Sequence, residues 1–264
     1  MTDLEHLQKV LLNMVKYVDS LCQKNNIDYF LLGGSAIGAI RHHGFIPWDD
    51  DLDIVMDAKN YDKFIRICRE QLDSERYYFQ EGYKDWPMPF SKLKLRGTVF
   101  KEPSGYVNAS GEQGIFLDVF KLENAPSSKI SQLWQYICAK YLLCNCLLRR
   151  GWENPTWNKR LMMIVSKPLN IPVVRRFFQC QVEKYNREET DYRMFFAGRY
   201  RFATSFYHKS VLGKPLMVPF EDTYLPVPEK YDLWLKQIFG DYMTPPPIEK
   251  QQGLHLLNVD FGEY

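Results

Sequence analysis

Four carboxylates, Asp49, Asp50, Asp51 and Asp53, fall within five positions of "IPWDDDLDIVM" (46–56) and run straight into an apolar segment. Like charges at this spacing repel, and an unpaired carboxylate entering a core is costly. In a strand, side chains two apart share a face, so Asp51 and Asp53 project together while Leu52 and Ile54 point into packing. Two carboxylates on one face suit a divalent cation, Mg2+ or Mn2+, and Mg2+ favours carboxylate oxygens together with substrate phosphates. The cation cancels the repulsion. Asp49 and Asp50 read as turn residues, with Asp49 able to bond backbone after Pro47-Trp48. The alternative for the whole run is an acidic, solvent-facing loop.

Two further features share that chemistry. Upstream, "DYFLL" (28–32) is a short β-type run followed at once by Gly33, Gly34 and Ser35. Two glycines let backbone approach a ligand closely, and a helix N-terminus offers N–H groups to a phosphate. Ser35 is placed to cap the helix or to donate to that phosphate. A purely structural turn is the competing reading. Downstream, Asp118 sits in "IFLDVF" among five apolar neighbours. A carboxylate there needs a cation or a basic partner, and a buried salt bridge to Lys or Arg is the alternative to a metal.

The elements that must position these groups follow from periodicity. Leu4, Leu7, Leu11, Met14, Val18, Leu21 and Cys22 recur at helical steps and predict an amphipathic helix closed by Asn25-Asn26. A helix is expected over 35–43 starting at Ser35, a strand over 52–56, a helix over 59–73 and a strand over 114–122. "SKLKLRGTVF" (91–100) alternates strictly, which predicts a strand with one wet face bearing Lys92, Lys94 and Arg96. From about 127 to 200 the pattern turns helical, and the tail reads as a loop, a helix over 229–239 and a proline stop. Strand, helix and strand in close succession predict an α/β (α+β) fold, a sheet flanked by helices followed by an additional helical region.

The 264 residues carry a net charge of +2 at 45% hydrophobic composition, which excludes a disordered chain. The charge is uneven: residues 129–214 hold 16 Lys/Arg against 5 Asp/Glu, and the remainder 18 against 27. The basic middle is expected to face anions, whether phosphates, a polyanionic acceptor or a membrane surface, or else to form the solvated faces of basic helices. Its lack of any recognised module argues against nucleic acid. The six cysteines form no CxxC pair, and the N-terminal stretch is acidic with no apolar core segment, so reduced thiols and a cytoplasmic setting are expected. "LWQYICAKYLLCNCLLRRGW" (133–152) is broken by Lys140 and Asn145. A buried core helix is its preferred reading, with a helix lying peripherally against a membrane face as the alternative.

The stretch 31–56 closely resembles the signature of the LicD family of phosphotransferases, within the nucleotidyltransferase superfamily that includes DNA polymerase β. Gly38, Ala39, Arg41, His42, Gly44, Phe45, Ile46, Pro47, Trp48, Asp49, Asp50, Asp51, Asp53 and Ile54 fall on that signature. "FLDVFKLENAP" resembles the family's third-carboxylate strand, and "FGDYMTPPP" followed by His255 resembles its C-terminus, with Phe239 where Tyr is usual. The resemblance covers 1–126 and 215–257, and nothing in 127–214 aligns.

The resemblance implies a nucleotidyltransferase-like small mixed sheet in a catalytic core over 1–126. Residues 127–214 would then be an acceptor-facing helical part, and 215–264 a C-terminal segment packing back on the core. It implies transfer of a phosphorylated alcohol such as phosphocholine from a CDP-activated donor. The acceptor would be a glycan or glycolipid hydroxyl of teichoic acid, lipopolysaccharide or capsule, and CMP would be released. On that reading Asp51, Asp53 and Asp118 hold the metal, and Asp118 also helps to deprotonate the acceptor. Gly33, Gly34, Ser35, Arg41, His42, Lys92 and Lys94 bind the donor's phosphates. Trp48 or Trp86 would stack on a base or a cationic head group, with packing the preferred role for Trp48. Two alternatives share part of the constellation: a nucleotidyltransferase releasing pyrophosphate, and a metal-dependent glycosyltransferase using Asp-x-Asp.

Overall fold

The computed structural model describes residues 2–100, 112–151, 156–198, 201–251, 253 and 259–264. His255 lies outside the described residues. Helix α1 (Asp3–Lys24) opens with a reciprocal cap between Thr2 and Glu5 and ends at Asn25. Strand β1 (Phe30–Leu31) leads into α2 (Gly33–His42), then come β2 (Asp53–Asp57) and α3 (Ala58–Gln71), whose N-terminus Asp57 caps. Strands β3 (Tyr77–Gln80), β4 (Ser91–Leu95), β5 (Val99–Phe100) and β6 (Phe116–Ala125) follow.

Next come helices α4 (Lys129–Arg149), α5 (Trp157–Val165) and α6 (Pro172–Glu183), and then β7 (Tyr192–Met194) and β8 (Phe206–His208). The chain closes with a hairpin of β9 (Leu216–Phe220) and β10 (Thr223–Val227), a helix over Tyr231–Phe239, and β11 (Val259–Asp260), which pairs with β5.

The main sheet is mixed, in the order β1-β2-β6-β4-β3, with β7 and β8 continuing from the far half of β6. Its central pair, β2 and β6, is parallel, while β1, β4 and β7 run antiparallel to their neighbours. Alternation assigns the two faces. Ile54, Met56, Leu93, Leu117 and Val119 join Leu7, Leu11, Val15 and Phe64 of α1 and α3 in the larger core. Val55, Phe120 and Leu122 join Trp86, Phe90, Cys146 and Trp234 on the opposite side.

Four local readings need correction. Helix α2 begins at Gly33 with Leu32 as N-cap, and Ser35 does not cap it: the Ser35 hydroxyl accepts from the Asp53 N–H at 2.9 Å. Strand β4 has no wet face, because both of its faces are packed. Lys92 and Lys94 are therefore buried. The tail after 215 is a hairpin where a loop was expected, since Leu216–Val227 pairs with itself across Glu221-Asp222. Finally, the basic middle contributes two strands, β7 and β8, to the sheet as well as its helices. All six cysteines are free thiols. Among the described residues no helix is long and apolar enough to cross a membrane.

Candidate active site

Register builds the site. Asp53 opposes Asp118 across the parallel pair β2–β6, and Asp118 opposes Lys92 across β6–β4. One row on one face thus reads Asp53, Asp118, Lys92 over three adjacent strands. The Lys92 ammonium lies 3.3 Å from the Asp118 carboxylate and is 2% exposed. Phe116, two residues before Asp118, places its ring 3.1 Å from the same ammonium, and Trp86 lies 5.0 Å away on another side. Such cation–π contacts help a buried cation remain charged.

The acidic loop reaches this row from the N-terminal end of β2. Gln8 of α1 donates to the carbonyls of Ile46 and Asp49, and the Asp49 N–H closes a turn onto Ile46. The β9–β10 hairpin holds the loop's start, with Glu221 accepting from the Phe45 N–H and donating its own N–H to the His43 carbonyl. The carboxylates then divide. Asp50 is buried and turned towards the C-terminal segment, where a side chain at Gly253 would stand 2.7 Å from it. Asp49 is not a turn residue alone: its carboxylate joins the cluster by a hydrogen bond with Asp51.

Gly33 and Gly34 lie against these acids. Gly33 has φ +58°, a conformation that only glycine adopts without strain, and a Cβ there would stand 3.8 Å from the Asp53 carboxylate. At Gly34 a Cβ would meet the Asp49 carboxylate at 2.5 Å. The positive end of α2 thus faces carboxylates directly, which is favourable in itself. The Ser35 N–H turns back to the Leu32 carbonyl.

Electrostatics follow from the crowding. Burial first, then Asp51, Asp118 and Asp49, push the Asp53 carboxyl well above its ordinary range, against the pull of Lys92. Asp49 is pushed up to about 8 by burial and by Asp51 and Asp50, with Arg41 opposing. Four carboxylates sharing one buried lysine and one nearby arginine hold more negative charge than these side chains neutralise. Among the described residues no three His, Cys, Asp or Glu side chains converge into a ready-made metal cage. A donor set of this charge fits a cation held by one or two carboxylates and completed by substrate phosphates, the mode Mg2+ favours.

The remaining expected residues take varied places. Arg41 donates to the Tyr242 carbonyl at 2.7 Å and to His42 Nε2 at 2.9 Å, so it ties the acidic corner to the C-terminal segment. Burial and Arg41 lower the His42 pKa, which keeps the ring neutral as that bond requires. Trp48 packs against the larger core with its ring edge-on to His42. Lys94 shares the Lys92 face but donates to the Glu112 carbonyl at 2.9 Å, away from the acidic row. Trp86 is buried, its indole N–H donating to the Phe90 carbonyl and its ring flanked by Lys92 and Arg150. It therefore supports Lys92 and forms no open head-group cage. Arg150 beside Trp86 lies in no motif, and although Tyr242 lies in the "FGDYMTPPP" stretch, nothing local to it shows that its carbonyl meets Arg41. Asp49 had a signal, its place in the acid run.

Residues 26–140 match the family model described as the LicD/FKTN/FKRP nucleotidyltransferase domain. Over 260 residues the chain is 28% identical to the lipopolysaccharide cholinephosphotransferase LicD of Haemophilus influenzae, covering 96% of each chain. Residues 26–140 thus match a LicD-family domain. Uncharacterised proteins of Rickettsia prowazekii and Rickettsia typhi are 50% identical over 44 residues, which cover 17% of this chain and 16% and 14% of theirs. The family domain contains β1, α2, β2, β4 and β6, hence the whole row Asp53–Asp118–Lys92 and the acidic loop. The full-length likeness also takes in the hairpin and C-terminal segment that hold Glu221 and Tyr242 against that loop.

Proposed function

We propose that the chain is a LicD-type phosphotransferase that moves phosphocholine, or a similar phosphorylated alcohol, from a CDP-activated donor to a hydroxyl of a lipopolysaccharide-type surface glycan, releasing CMP. The observation that carries the reading is the three-strand row of Asp53, Asp118 and Lys92 beside the Gly33-Gly34 turn, inside a domain of this family. Teichoic acid and capsule remain acceptors of the same chemical kind.

Transfer at a diphosphate asks for positioning, neutralisation of charge and an in-line hydroxyl. Of Asp51, Asp53 and Asp118, one or two carboxylates at a time would hold Mg2+ or Mn2+ together with the donor's phosphates, and the cation would neutralise the diphosphate. The chain's own part rests on residues already placed. Ser35 fixes the start of β2 and so the aim of Asp53. Lys92, 3.3 Å from Asp118, would offset charge on the leaving CMP phosphate. Asp118, in contact with Lys92, takes the proton of the acceptor hydroxyl as the oxygen attacks phosphorus. Arg41, whose charge acts on Asp49, would add a positive charge for the donor's phosphates.

The test is CMP release from CDP-choline with Mg2+ and lipopolysaccharide, with other CDP-alcohols and glycans as controls. Release that depends on both donor and glycan supports the reading. Pyrophosphate produced from a nucleoside triphosphate, with no CMP from any CDP-alcohol, would replace it with nucleotidyl transfer.

A further inference from the structure

Helices α4, α5 and α6 turn large apolar side chains outward. Ile130 is 83% exposed, Trp157 75% and Val173 73%, and Trp134, Ile137 and Phe177 are also exposed. On α4 the outward residues Ile130, Trp134 and Ile137 keep helical spacing, opposite the buried stripe of Gln135, Cys138, Ala139 and Leu142. Helix α5 buries Met163 alone, so it lies on the surface with Leu161, Met162, Ile164 and Val165 uncovered.

These faces are continuous. The Trp134 indole N–H donates to Gln181 of α6 at 3.1 Å, and the Tyr141 hydroxyl donates to the Val165 carbonyl at the end of α5 at 2.6 Å. The Tyr141 ring rests on Phe178, which meets Phe177 edge-on. A cavity of ≈ 1020 Å³ opens in the same face, since Trp134, Ile137 and Met162 line it, and its inner wall includes Phe90 and Phe120. Those two lie two residues from Lys92 and Asp118 respectively.

Charge identifies the occupant. From 129 to 183 the sequence holds nine Lys/Arg and two acids, Glu153 and Glu183, the latter paired with Lys121. Lys159, Arg160, Lys167 and Arg176 are exposed around the apolar residues. A second copy would bring one cationic rim against another. A surface of anionic head groups over an acyl interior matches both the rim and the centre.

We propose that the face made by α4, α5 and α6 docks on an anionic lipid bilayer, with its apolar side chains at the acyl boundary and its Lys and Arg at the head groups. The helices lie in the interface without crossing it, and the cavity mouth opens onto the bilayer. This docking does not depend on which group the active site transfers.

The experiment is co-sedimentation of the full chain with vesicles of phosphatidylcholine alone or mixed with phosphatidylglycerol. The wild-type chain is expected to bind the mixed vesicles at least about tenfold more tightly, and to lose that preference at high salt. The combined variant Ile130→Gln, Trp157→Gln and Val173→Gln should weaken binding to both kinds of vesicle. In Lys159→Glu, Arg160→Glu and Arg176→Glu, each charge lost should weaken binding to the mixed vesicles about fivefold. Circular dichroism and an unchanged thermal unfolding transition confirm that each variant is folded. No binding to mixed vesicles by the wild-type chain, or equal binding by all three proteins, would overturn the proposal. So would a dimer in solution that the apolar variant converts to monomer, because the face would then be an interface between copies.

Discussion

At Asp49, burial and the neighbouring Asp51 and Asp50 lift the carboxyl pKa from 3.8 to about 8. Between those values the folded chain binds a proton that the unfolded chain has released, so stability declines as pH rises through this window. Without divalent cation the melting temperature should fall from about pH 4.5 to about pH 8 and level off above that. Asp49→Asn should flatten the slope, and added Mg2+ should restore stability at the alkaline end by taking the proton's place. A melting temperature that does not change with pH would refute the crowding argument. Asp51→Asn removes a charge from the rim of the cluster without opening a cavity. It should lower CMP release by about 10²-fold or more with the melting point almost unchanged, as read by a coupled CMP assay. Lys92→Met is different, because it strands Asp118 beside buried aromatics. It should cost about 3–5 kcal/mol in urea unfolding, and Mg2+ should stabilise this variant more than the wild-type chain.

At the scale of elements, the site depends on how closely α2 approaches the strand and loop around it. A side chain at Gly38 would stand 2.5 Å from the Gly44 carbonyl oxygen and 3.1 Å from the Ile46 nitrogen, both backbone. Neither can swing aside, so Gly38→Ala should destabilise by about 1–3 kcal/mol in urea unfolding. Ser35→Ala leaves the Asp53 N–H without its acceptor at a part-buried position and should cost about 1–3 kcal/mol. It should also lower CMP release, since it loosens the start of β2, whereas Gly38→Ala acts mainly on stability. Equal activity of Ser35→Ala and wild type would remove Ser35 from the positioning role. The helices and main strands were legible from periodicity because their buried faces repeat locally. The wet face expected for β4 was not, because Lys92 is covered by Trp86 and Phe116 and Lys94 is held by the Glu112 carbonyl, and Phe116 and Glu112 come from a separate segment.

At the scale of the whole molecule, charge is segregated: the middle of the chain is basic and the ends acidic, although the net charge is only +2. If a polyanionic glycan is drawn in by that middle, raising the salt concentration should increase KM for lipopolysaccharide several-fold. KM for a small neutral hydroxyl acceptor should stay constant. Initial-rate measurements at two ionic strengths separate these cases, and equal salt dependence for both acceptors would remove the electrostatic role.

The amino-acid sequence alone determined the local pieces: a glycine turn ahead of a helix, an acid run at the mouth of a strand, and a lone aspartate in a hydrophobic ribbon. Each is set by near neighbours, through backbone freedom, alternation and the cost of burying charge. Only the tertiary structure decided which pieces meet. The register between β2, β6 and β4 sets Asp53, Asp118 and Lys92 side by side, although far-apart segments supply them. It also made Lys92 the partner of Asp118 and drew Asp49 into the cluster while turning Asp50 away. The physical reason is that pairing across strands, and the choice of which charge a buried charge meets, depend on the packing of the entire sheet. No short stretch of the chain contains that information.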